Sequence, residues 1–126
     1  RELLRSRGIG IVYKRRGHKR MELINGMLEK NPNDTFLNYA TALEYKKENK
    51  TAKAISFFRK IIDNDPDYLP TYYQLGKLLE EKNKTPEAVV FYKRGRELAK
   101  VKNDIKTLGE LSEALLILDE DDGEAW

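Results

Sequence analysis

The chain has 126 residues, 40% hydrophobic and 36% charged, which suits one modest core and excludes both a disordered chain and a second domain. Zero cysteines exclude disulfides, a thiol nucleophile and thiolate zinc sites, and a lone histidine, His18, excludes a multi-histidine metal centre. The net charge of +3 is uneven: residues 1–20 hold eight basic residues and one acid, whereas the other 16 basic residues face 20 acids over residues 21–126.

At the N-terminal end, Lys14, Arg15, Arg16, Lys19 and Arg20 lie near Tyr13, a pattern suited to phosphate contact through counterion release. Gly8-Ile9-Gly10-Ile11-Val12 is a poor helix former, so residues 1–20 read as a basic extension or a degenerate first helix. No base-reading motif accompanies the patch. A solvated tail, or one pairing with acidic residues at the far end, is the plainer account.

From Met21 a helical period takes over. Residues 21–30 place Leu23, Ile24 and Met27 on one side and end before Pro32. Phe36, Leu37, Tyr39, Ala40, Leu43 and Tyr45 define a second helix, and Ala54, Ile55, Phe57, Phe58, Ile61 and Ile62 a third, closed by Pro66. Tyr72, Tyr73, Leu75, Leu78 and Leu79 mark a fourth, and Ala88, Val89, Phe91 and Tyr92 a fifth. Asp34 and Asp67 are the expected N-caps of the second and fourth helices, and Thr51 and Thr85 those of the third and fifth, where Pro86 and Glu87 suit a first turn. Ile105, Leu108, Leu111, Leu115 and Leu118 form a stripe on a last helix, which Leu116 and Ile117 make more apolar than capping requires. Residues 119–126 form an acidic tail.

The middle of the chain is a repeat. Residues 35–68 set against 69–102 share Tyr39/Tyr73, Asn49/Asn83, Lys50/Lys84, Thr51/Thr85, Ala54/Ala88 and Phe57/Phe91. The contiguous Asn-Lys-Thr predicts a tight turn between two helices, and Pro32 and Pro66 keep the same spacing of 34.

A helix pair of this length, with Tyr72, Leu75-Gly76, Leu79, Ala88 and Tyr92 in one unit and Ala54, Phe58 and Pro66 in the other, resembles the tetratricopeptide repeat. It is also similar to short stand-alone proteins of that family found in bacteria. The resemblance implies an all-α, right-handed helix-hairpin solenoid: two full repeats, a half repeat before them and a capping helix after. Residues 21–118 would be the repeat domain, 1–20 the extension and 119–126 the tail. Asn38, Ile61 and Lys100 depart from the family pattern, and the missing proline at Lys100 suggests that the array is ending.

By the same resemblance, the first helix of each unit lines a concave groove that holds a peptide segment or partner protein without catalysis. Phe36, Tyr39, Ala40, Leu43, Lys46 and Lys47 would line it from one unit, and Tyr73, Gln74, Lys77, Glu80 and Glu81 from the next, with the two tyrosines side by side. The clamp that some family members use for a terminal carboxylate is not matched, since Tyr39, Leu43 and Gln74 stand at its positions. Two other readings remain open: nucleic-acid association through the basic segment, and a homodimer paired through the last helix. No cofactor, metal or membrane role is expected, and a cytoplasmic location is the default for a chain without a long apolar run.

Overall fold

A computed structural model describes residues 19–119, and these form six α-helices and no strand. They are α1 (19–30), α2 (Thr35–Lys47), α3 (Thr51–Asn64), α4 (Pro70–Glu81), α5 (Thr85–Lys102) and α6 (Ile105–Ile117). α2 packs on α3, α4 on α5 and α5 on α6; α3 joins the hairpins by packing on α4, and α4 also reaches α6. The result is two hairpins with a helix before and a helix after, as the repeat implied.

Asparagine makes the turns. Asn49 (φ 60°) and Asn83 (φ 59°) sit in the left-handed region, which asparagine enters more cheaply than most residues. Asn49 N donates to Lys46 O at 3.1 Å and Lys50 N to Tyr45 O at 2.9 Å; Asn83 N donates to Glu80 O at 2.9 Å and Lys84 N to Leu79 O at 2.8 Å. Each pair of bonds satisfies carbonyls that the helix end would otherwise leave open. Asn103 (φ 55°) closes α5 in the same way.

The helix starts differ in part from expectation. Asp34 caps α2, its carboxylate accepting from Leu37 N at 2.8 Å. Asp67 does not cap α4, which begins at Pro70 after Leu69. In repeat register Asp34 corresponds to Tyr68, which has no short side-chain oxygen, and Pro70 brings no N–H that needs a partner. Thr51 and Thr85 lie just inside α3 and α5 rather than at their caps. Lys50 and Lys84 serve both as the last turn residue and as the cap, and their carbonyls accept the first helical bonds from Ala54 and Ala88. Asp104 caps α6, accepting from Thr107 N at 3.0 Å.

Asn38 and Tyr72 occupy one register position and do one job with different chemistry. Asn38 Nδ2 donates to Pro32 O at 3.0 Å, and Tyr72 Oη to Pro66 O at 2.6 Å. Each ties the start of a first helix to the proline loop before it. The departure at Asn38 therefore preserves the tether.

Packing follows the small–large pairs of the repeat. Ala42 and Phe58 are fully buried in the first unit, and Gly76 lies under Tyr92 in the second. A Cβ on Gly95 would sit 2.6 Å from Tyr72 Cβ, so α5 approaches α4 closely there. A single apolar cluster runs from Ala42 to Leu115. In α1 only Ile24 of the three apolar positions is buried; Leu23 and Met27 are exposed.

Two features fall outside the 34-residue frame. α3 stops after 14 residues, before Pro66, whereas α5, with Lys100 in that place, runs for 18. α6 is displaced accordingly. Leu108, Leu111, Ser112, Ala114 and Leu115 are buried just as Tyr72, Leu75, Gly76, Leu78 and Leu79 are, at a spacing of 36. α6 therefore occupies the place of a third first helix. Ile105 does not belong to the buried stripe: it is 71% exposed, roughly 100° around the helix from the stripe's centre.

Candidate functional site

The first helices bury one side and present the other. On α2, Phe36 projects with 72% of its surface exposed, Leu43 is half-buried against the core and Lys47 is exposed. The Tyr39 ring is half-buried, edge-on to Phe58 at 5.7 Å and to Tyr68 at 5.3 Å. Burial, and then the neighbouring Tyr68 phenol, push its hydroxyl above the usual tyrosine range, against a lowering hydrogen bond with Gln74. Lys46 Nζ donates to Gln74 Oε1 at 2.6 Å. Gln74 thus links Tyr39 and Lys46, bridging α2 to α4.

On α4, the Lys77 ammonium lies 5.5 Å from the Tyr73 ring centre and 3.9 Å from the Glu80 carboxylate. Tyr73 faces Tyr92 of its own hairpin at 6.3 Å. The expected side-by-side pair of Tyr39 and Tyr73 does not form, because Tyr39 packs on Phe58 and Tyr68 while Tyr73 follows Tyr92. Beneath this face the Tyr92 hydroxyl donates to Glu80. Burial, then that carboxylate, hold the Tyr92 phenol far above the usual range.

These groups can do defined chemistry. Lys46, Lys47 and Lys77 offer ammonium donors to carboxylates, Gln74 offers amide chemistry for a peptide backbone, and the tyrosine rings supply stiff apolar surface. Of the candidate phosphate contacts, Lys14, Arg15 and Arg16 lie outside the described residues. Lys19 is exposed, and Arg20 pairs with Glu44 of α2 at 2.8 Å, so its charge is matched within the chain. Among the described residues no group of three His, Cys, Asp or Glu could hold a metal ion, and no helix is long and apolar enough to cross a membrane.

Three arrangements of these residues and elements were not anticipated from the sequence, although Gln74, Glu80 and the last helix were themselves expected. The Gln74 bridge depends on how α2 and α4 dock, and the Tyr92–Glu80 bond on a ring that crosses Gly76. The third is α6, whose signal was present in Leu108, Leu111 and Leu115 once a spacing of 36 is allowed.

Two models of the tetratricopeptide repeat match the chain, over residues 37–68 and 57–90. The crystal structure of a tetratricopeptide repeat domain protein from Salinibacter ruber is similar at 38% identity and a TM-score of 0.66, covering 68% of this chain and 96% of that one. A solution NMR structure of a tetratricopeptide repeat domain protein from the same organism is similar at 40% identity and a TM-score of 0.64, covering 68% of this chain and 86% of that one. No curated protein sequence matches the chain.

Proposed function

The chain belongs to the tetratricopeptide repeat family, and from that premise we propose that it is a non-catalytic interaction module holding a peptide segment of a partner protein along α2 and α4. Repeats of this family generally mediate protein–protein interaction, so the open matter is which surface serves and what it accepts. The observation that carries the reading is the bridge from Lys46 to Gln74, which joins two first helices into one face still bearing exposed Phe36 and Lys47. Its ammonium groups favour a segment containing Asp or Glu, with the tyrosine rings supplying apolar contact.

Tyr39 is a poor residue to remove, because its ring packs on Phe58 and Tyr68 and its loss would loosen the hairpins as well. Charge reversal at Lys47 breaks no contact among the described residues, and at Lys77 it gives up only the surface contacts with Tyr73 and Glu80. A labelled library of acidic peptides, titrated against the full chain by fluorescence anisotropy, should yield binders that weaken at least tenfold with Lys47→Glu plus Lys77→Glu while the melt stays cooperative and moves by no more than a few degrees. Equal affinity for both proteins would remove α2 and α4 from the binding surface.

A further inference from the structure

The spacing of 36 that aligns α4 with α6 by burial also assigns the positions between the buried ones. Glu80 and Glu81 on α4 correspond to Leu116 and Ile117 on α6, and Tyr73 corresponds to Gly109. In the 34-residue frame the same two positions on α2 are Lys46 and Lys47. Along the C-terminal ends of the three first-type helices the chemistry therefore runs basic, acidic, apolar. α2 and α4 are equivalent helices of successive repeats, linked by the Lys46–Gln74 bond, and α4 packs directly on α6, so the repeat sets the three helices side by side in that order.

Lys46 is engaged by Gln74, and Glu80 by Tyr92 and Lys77, which leaves Lys47, Glu81, Leu116 and Ile117 as the free members of this row. Lys47 and Glu81 are exposed and make no ion pair among the described residues. Leu116 and Ile117 are 64% and 70% exposed. Glu81 also stands in the last turn of α4, where the helix dipole favours a cation, so helix stability does not account for it. Gly109 lies two turns before Leu116 on the same side of α6, and a Cβ there would meet nothing within 4 Å, so that side is open beside the exposed Ile105 as well.

We infer that this row is a three-part reader for an extended peptide segment carrying, in order, an acidic residue against Lys47, a basic residue against Glu81 and a bulky apolar residue seated on Leu116 and Ile117. Neighbouring helix axes lie about 9 Å apart and an extended chain advances about 3.3 Å per residue, so the three anchors fall about three residues apart. The ligand class is acid-x-x-base-x-x-apolar, read in one chain direction. This rests on the interaction reading above and extends it from α2 and α4 onto α6.

The test uses the full chain and four fluorescein-labelled synthetic peptides: Asp-x-x-Lys-x-x-Leu, its reversed order, a form with Ser in place of Leu, and a composition-matched scramble, with Ser and Gly at x. One of the two ordered peptides should bind at least tenfold more tightly than the scramble and than the Ser form. Leu116→Ser with Ile117→Ser should erase that advantage; both positions are exposed and outside the core cluster, so the melt should hold. Lys47→Glu with Glu81→Lys should transfer the preference to Lys-x-x-Asp-x-x-Leu. If the Ser form binds as well as the Leu form while Lys47→Glu plus Lys77→Glu still weakens it, the α6 part of the inference falls and the interaction reading stands. If no ordered peptide exceeds the scramble, the three-part reader is overturned, and acidic-library binding through Lys47 and Lys77 remains a separate result. A concentration-dependent dimer in sedimentation that is lost on Leu116→Ser with Ile117→Ser would give the apolar patch to a second copy and also overturn it.

Discussion

Tyr92 lies over Gly76 so closely that a Cβ there would collide with its ring, whereas the first hairpin accommodates Ala42 and the fully buried Phe58 at the same two positions. The difference is the hydroxyl: Phe58 has none, while Tyr92 is held by its bond to Glu80 and cannot retreat. Gly76→Ala should therefore destabilise by about 1–3 kcal/mol in urea unfolding, and the same substitution in a Tyr92→Phe background should cost less. Tyr39, Tyr72 and Tyr92 are all raised above their ordinary value of 10.0, each chiefly by burial. A raised acid keeps its proton in the folded state after the unfolded chain has lost its own. The stability from these phenols is thus complete below pH 10 and declines as pH rises beyond it. Urea midpoints at pH 7, 10 and 11 should fall over the upper interval, and Tyr92→Phe should make that fall shallower.

Helix boundaries obey a narrower set of demands than helix faces. Asn83 must hold a positive φ to close α4, so Asn83→Ala should cost roughly 1 kcal/mol and Asn83→Gly close to nothing, read from thermal melts. Asp104 accepts from the Thr107 backbone and side chain, and these bonds, the backbone one first, hold its carboxyl below the ordinary value of 3.8. Its cap acts above that pH and is lost as pH falls through the lowered value, so Asp104→Ala should lower the melting temperature at pH 7 and lose the difference in strong acid. The caps show where a sequence reading slips. Asp67 had suitable chemistry but stands one residue short of the register set by Asp34, and Thr51 and Thr85 gave up the cap position because the asparagine turns end on Lys50 and Lys84. Faces were far more legible, since Ala54, Phe58, Ala88 and Tyr92 are buried where the period of the repeat put them. The length of α5 depends on a single residue: Lys100→Pro should cost about 3 kcal/mol or more, because Lys100 lies inside α5 where Pro66 lies beyond α3.

For the molecule as a whole, the two hairpins were legible because turn and core recur together, Asn49-Lys50-Thr51 with Ala54 and Phe57 and again 34 residues later. The place of α6 was not, because the longer α5 shifts the spacing to 36 and hides the match from a fixed-period comparison. The candidate face was legible as a set of positions on α2 and α4 but not as an arrangement, since Tyr68 and Tyr92, on other elements, decide where Tyr39 and Tyr73 lie. The same coupling governs stability. α4 and α5 both pack on α6, and α3 in turn packs on α4, so the first hairpin has its outer surface covered only while the second is folded. Leu111, fully buried, stands beside Gly95 where α6 meets α5, and Leu111→Ala should cost about 2–5 kcal/mol. A lone hairpin cannot bury Ile61 and Ile62, so the penalty at α6 should reach α2 and α3 undiminished. Native-state hydrogen exchange of Leu111→Ala should show protection falling by one common factor in α2, α3 and α6. Protection kept in α2 and α3 while α6 exchanges freely would mean that the first hairpin folds by itself, and that the repeats act as separable units.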